Sequence, residues 1–286
     1  MKPRSLRVPG ADGLALHLLE WSREGVPFLL LHGFGNEAHL WDDTAPLLAP
    51  HYRVLALDLR GHGESEHDPE GRYDHDDMVR DLEAVCGALE LGRLVLMGHS
   101  LGGRVATLFA GRHPERMAGL VIVDSGPEVD LRGAMRIRLD AEQTPEHFPS
   151  EEAFAVHLER AYPLAGREVV LRMARHMLRR DADGRYRVRM DPRLRRVTGR
   201  NPEEELAWRE QRARELWDAL SRISCPTLVI RGAASDVLSP EVADRMVEEV
   251  LADGRLEVIP RASHSVVIDN PEAFREAVAR FALTEG

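Results

Sequence analysis

The sequence predicts an α/β fold, a mostly parallel central sheet flanked by helices and interrupted by an inserted helical cap. Three observations lead there. Short runs rich in Val, Leu and Ile recur without period-two alternation, as strands covered on both faces do. Helical segments separate these runs, which calls for crossover connections between parallel neighbours. From about residue 127 to about 222 the strand-like runs largely vanish and charged helical patterns replace them.

Taken in order, strands are expected at 14–21, 27–31, 53–57, 94–97, 119–123, 227–231 and 256–259. A helix over 73–89 carries apolar residues at helical spacing and ends near Gly92. Pro240, and Pro271 in Asn270-Pro271-Glu272, each open a helix, because proline fits the first helical position. In the insertion, helices are expected at 151–161, 168–180 and 203–220, with a turn at Asp181-Ala182-Asp183-Gly184. The expected organisation is a core of 1–126 and 223–286, with 127–222 as the cap of the same folding unit.

Composition narrows the function classes. A chain of 286 residues with 43% hydrophobic content buries one substantial core. A formal charge of -10 opposes the positive field needed to hold a phosphate backbone, so no nucleic-acid partner is expected. Lys2 is the only lysine, and the arginine excess over 167–196 reads as a solvated helical face rather than a site for an anionic substrate. Cys86 and Cys225 match no metal-ligand spacing and are expected to be buried thiols. Neither a secretory segment nor a membrane span is apparent, so a cytoplasmic protein without membrane attachment is expected.

The most informative segment is Leu94-Val95-Leu96-Met97-Gly98-His99-Ser100-Leu101-Gly102-Gly103, a buried strand leading through Gly-x-Ser-x-Gly into a helix. The turn is so tight that side chains two residues either side of the serine would clash, and it lifts the serine hydroxyl above the sheet. The helix N-terminus behind it favours developing negative charge. A hydroxyl is a weak nucleophile at neutral pH, so a base and a group to orient the base are required. His264 follows the last strand-like run, at the sheet edge where ligand sites form. His99, His32 and His62 are better read as structural. Asp236, following the 227–231 run, is the expected acid, and Asp124, at the end of 119–123, is its rival. Chain order decides for Asp236. The amides of Phe34 and Leu101 are the expected oxyanion donors, each worth ~3 kcal/mol in the transition state.

With these residues in place, the chain resembles the alpha/beta-hydrolase superfamily over nearly its whole length, in its capped, carboxylesterase-like branch. The resemblance rests on His32-Gly33-Phe34-Gly35, on Asp58-Leu59-Arg60-Gly61-His62-Gly63-Glu64-Ser65, on Gly98 to Gly103, and on the Asp236 and His264 loops. It implies a serine hydrolase of small-molecule carboxylic esters, acting through an acyl-enzyme without metal or organic cofactor, as a monomer or homodimer. Dehalogenases and epoxide hydrolases of that scaffold carry aspartate where this chain has Ser100. Alternatives on the same residues are a carbon-carbon bond hydrolase, a lactonase or a perhydrolase, and, outside catalysis, a ligand receptor with a slow vestigial site. Gly33, Trp41, His99, Phe154 and Val266 are the candidates for the pocket wall. The Asp58 to Ser65 segment reads as structural.

Overall fold

The computed structural model describes residues 2–195 and 201–284. Eight strands form one sheet: β1 (Arg4–Pro9), β2 (Ala15–Glu20), β3 (Val26–Leu31), β4 (Tyr52–Leu57), β5 (Leu94–His99), β6 (Met117–Val123), β10 (Thr227–Gly232) and β11 (Gly254–Ile259). The spatial order is β1-β2-β4-β3-β5-β6-β10-β11. β1 and β2 run antiparallel to their neighbours, and all pairs from β4 to β11 are parallel. β1 was not expected from the sequence, because it is a mostly exposed edge strand with almost no apolar pattern.

Alternation appears in three dimensions where the sequence hides it. Phe28, Leu30, Val54, Met97 and Val121 point to one face, beneath Trp41 and Phe274. Leu29, Leu31, Leu55, Leu96 and Ile122 point to the other, beneath Met78 and Phe109. Both faces are apolar because helices cover both. The first helices of the core are α1 (Ala45–Leu48), α2 (His75–Ala88) and α3 (Leu101–Arg112). Asp74 caps α2 reciprocally with Asp77, which fixes its start.

Between β6 and β10 the chain leaves the sheet and builds α4 (Leu131–Gln143), α5 (Glu151–Ala161), α6 (Arg167–Met177) and α7 (Pro202–Ser221), followed beyond β10 by α8 (Pro240–Arg245), α9 (Val266–Asp269) and α10 (Pro271–Thr284). The expected helix over 168–180 stops at Met177, and three short strands appear: β7 (His147–Phe148), β8 (Leu178–Arg180) and β9 (Tyr186–Val188), in the antiparallel order β7-β9-β8. The Asp181 to Gly184 turn joins β8 to β9, with Gly184 at φ +86°. The end of α7 packs on the core, where Leu216, Ala219 and Leu220 join the cluster beneath α3 and a Cβ on Gly111 would lie 2.7 Å from Ala219. Both cysteines are buried.

Candidate active site

Register brings the reacting groups together. β5 pairs His99 with Val123 of β6, so the next residues, Ser100 and Asp124, leave the sheet side by side. The Ser100 amide donates to Val123 O at 2.9 Å, and the Asp124 amide to Ile230 O at 2.7 Å. Both carry positive φ, 51° at Ser100 and 44° at Asp124, in a region that side chains avoid unless the surroundings enforce it. Close packing enforces it at the serine: a Cβ on Gly98 would lie 2.2 Å from Gly102 O, and one on Gly102 would lie 2.5 Å from Leu31 O.

His264 reaches the pair from the loop after β11. Its Nε2 lies 2.9 Å from Ser100 Oγ, and its Nδ1 lies 2.7 Å from Asp124 Oδ2. A carboxylate accepts, so Nδ1 carries the hydrogen and Nε2 is left to take the serine proton. Asp124 is fully buried and otherwise held by Gly232 N–H at 2.8 Å and Ser235 Oγ–H at 2.6 Å.

The carboxylate bound to His264 is therefore Asp124, and Asp236, expected from the sequence in that place, does not stand there. Gly232 ends β10, and the chain then turns, with Ser235 N–H donating to Gly232 O at 2.9 Å. That turn aims Ser235 at Asp124 and carries Asp236 outward to α4, where Arg136 holds its two oxygens at 2.7 and 2.8 Å. This guanidinium keeps the Asp236 carboxyl below its ordinary range.

His99 has a supporting position. Its Nε2–H donates to the His264 carbonyl at 2.9 Å, its ring lies 4.9 Å from the His264 ring, and burial pushes its pKa down to about 3. A neutral ring thus braces the loop that carries His264. His32 and His62 are buried and structural: His32 donates through Nδ1 to Gly33 O and accepts at Nε2 from Leu59 N–H, and His62 Nδ1–H donates to Arg60 O. Arg60 is clamped by Asp81 at 2.6 and 2.8 Å, and Asp58 accepts from Ala38 N–H and Glu64 N–H.

Two chambers open on Ser100, one of about 710 Å³ beside Leu101 and α7 and one of about 440 Å³ beside Phe34, His99 and His264. Ile137 of α4 borders both. Of the expected wall residues, His99 and Phe154 line the smaller chamber, while Gly33, Trp41 and Val266 line neither. Trp41 packs at full burial near Phe274, and Val266 opens α9 inside the same apolar cluster. Gly33 instead permits close approach, since a Cβ there would lie 2.6 Å from His99 Nδ1 and 3.2 Å from Ser100 Cβ.

The family model described as "alpha/beta hydrolase fold" matches residues 26–271. A 2-hydroxy-6-oxo-6-(2'-aminophenyl)hexa-2,4-dienoic acid hydrolase of Metapseudomonas resinovorans is 27% identical over 282 residues, covering 96% of this chain and 90% of the relative. Esterase Rv0045c of Mycobacterium tuberculosis is 27% identical over 278 residues, covering 92% and 85%. Among solved structures, an alpha/beta hydrolase from Novosphingobium aromaticivorans superposes with a TM-score of 0.82 at 30% identity over 99% of both chains.

Proposed function

Because the chain belongs to the alpha/beta-hydrolase fold family, we propose that it is a serine hydrolase that cleaves small-molecule carboxylic esters through Ser100, His264 and Asp124. The observation that carries this reading is the unbroken relay from Ser100 Oγ to His264 Nε2 at 2.9 Å and from His264 Nδ1 to Asp124 Oδ2 at 2.7 Å. The similarity to an esterase supports the ester bond as substrate.

In the first step Ser100 Oγ attacks the carbonyl carbon while its proton passes to His264 Nε2. The imidazolium that forms is stabilised by the Asp124 carboxylate. Negative charge gathers on the former carbonyl oxygen, where the Phe34 and Leu101 amides and the α3 N-terminus receive it. Collapse expels the alkoxide, which takes the proton from His264. Water then attacks the acyl-enzyme, giving its proton to the same nitrogen, and Ser100 leaves with that proton restored.

Treatment with a fluorophosphonate, followed by mass spectrometry of the digest, tests the reading. The expected result is a single adduct on Ser100, with aryl acetate hydrolysis lowered by about 10⁶ in Ser100→Ala. Rapid aryl ester turnover by Ser100→Ala, or an adduct on another residue, would refute it.

A further inference from the structure

Among the described residues five arginines face the larger chamber, and four of them are matched by carboxylates. Arg209 Nε lies 2.8 Å from Glu205, Arg212 binds Asp76 at 2.9 Å and Glu215 at 2.7 Å, Arg214 lies 3.7 Å from Glu210, and Arg245 lies 3.5 Å from Glu128. Arg104 differs. Its side chain donates to Gly126 O at 3.3 Å, and among the described residues it forms no ion pair. A guanidinium offers five donors, so most of this one's capacity is directed at no protein acceptor in the described structure. Burial, with Arg209 adding like-charge repulsion, brings its pKa down to about 10, which leaves it cationic at neutral pH.

Its place in the fold makes this cation pertinent to substrate. Arg104 stands one turn along α3 from Ser100, and its amide donates to Ser100 O at 3.1 Å. The first residue of α2 lies against the same chamber: His75 is 6% exposed, stacks near Trp208 with centroids 6.2 Å apart, and has a buried Nδ1 without a hydrogen-bond partner among the described residues. Burial, aided by the charges of Arg104 and Arg212, lowers the His75 pKa to about 3, so the ring is neutral and one of its nitrogens can donate. An unpaired planar cation and an unpartnered imidazole nitrogen beside a nucleophile make a receptor for a planar, bidentate anion.

We propose that Arg104, with His75 beside it, is a subsite for a carboxylate carried by the substrate, so that the preferred esters are half-esters of dicarboxylic acids or esters with an acid group on the alcohol. This rests on the serine hydrolase reading of the same site. The described arginines of 167–195 do not line the larger chamber, and Arg196 lies outside the described residues; Arg172, Arg187 and Arg193, for example, are committed to Asp43, Asp181 and Asp191. The four other chamber arginines are neutralised in place, whereas Arg104 holds its charge for an incoming anion.

The test compares kcat/KM for two matched pairs: p-nitrophenyl hydrogen glutarate against p-nitrophenyl methyl glutarate, and the acetate ester of 4-hydroxybenzoic acid against that of its methyl ester. The acid-bearing member of at least one pair is expected to be favoured about 10- to 100-fold, the usual value of a charge-assisted hydrogen bond to a desolvated group. Arg104→Met is expected to reduce that ratio by a similar factor, and Arg104→Lys to restore part of it. Fluorophosphonate labelling of Ser100 in both variants checks that the site is folded. Ratios near one in both pairs, or a preference that survives Arg104→Met, would overturn the subsite while leaving the hydrolase reading intact. Failure of the wild-type protein to label or turn over any ester would instead count against that reading. Calorimetric binding of p-nitrophenyl hydrogen glutarate to Ser100→Ala then decides the subsite: binding about 10-fold weaker on adding Arg104→Met supports it, and unchanged or undetectable binding overturns it.

Discussion

Asp124 accepts from three directions, the Gly232 amide, the Ser235 hydroxyl and the His264 ring, and this arrangement assigns each residue of the two loops its task. Ser235 sits between the two aspartates that compete in sequence, and its hydroxyl also accepts from Val237 N–H and Leu238 N–H at 3.1 and 3.2 Å. It therefore couples the acid to the turn after β10. Ser235→Ala removes one donor from a buried carboxylate, and kcat/KM for an aryl acetate is expected to fall about 5- to 30-fold, with KM little changed. Ser100 and His264 were legible in the sequence because the elbow glycines and the loop after the last strand each impose a distinct pattern. The carboxylate that His264 binds was not, since Asp124 and Asp236 both follow buried strands and both precede His264, so chain order admits either. What separates them is lateral: His99 opposite Val123 sets Asp124 beside the nucleophile, and a pairing register leaves no mark in one strand's own residues.

Among the elements, the strands of the main sheet other than β1 were legible as short, mostly apolar runs, and the β5 to α3 turn as the glycine-bracketed end of one of them. The small sheet of β7, β8 and β9 was hidden, because strands of two or three residues are too short to establish a period. The loop of Asp58 to Ser65 is fixed by a buried ion pair: the side chains of Arg60 and Asp81 are 0% and 1% exposed. Removing one partner strands the other charge away from water, so Arg60→Met is expected to destabilise the protein by about 3–5 kcal/mol, read as a lowered urea midpoint. A midpoint within error of wild type would mean that the pair contributes nothing to the fold.

Across the whole molecule, the sheet buries both faces and the chain between β6 and β10 supplies walls for both chambers, through α4, α5 and α7. Among the described residues no helix is long and apolar enough to cross a membrane. The interior also sets an acid limit. His62, His75 and His99 are neutral in the fold because burial lowers each to about 3 from an ordinary value of 6.5. Unfolded, each takes up a proton near pH 6.5, so below that pH the unfolded chain holds more protons than the native one. Stability is therefore expected to fall as the pH is lowered from about 6.5 toward 3, each histidine adding up to about 1.4 kcal/mol per pH unit, with no slope from these groups above 6.5. Urea midpoints at pH 5, 6.5 and 8 check this, and equal values at pH 5 and 6.5 would contradict it. The fold class follows from residue pattern, whereas the order of the strands and the two chambers depend on how distant segments meet.

Which carboxylate orients His264 is decided by kcat/KM for an aryl acetate in Asp124→Asn and Asp236→Asn, assayed side by side. A loss on the order of 10⁴ is expected for Asp124→Asn, through a misoriented imidazole, and less than about tenfold for Asp236→Asn, whose carboxylate serves Arg136. The reverse order, with Asp236→Asn the crippled enzyme, would contradict it.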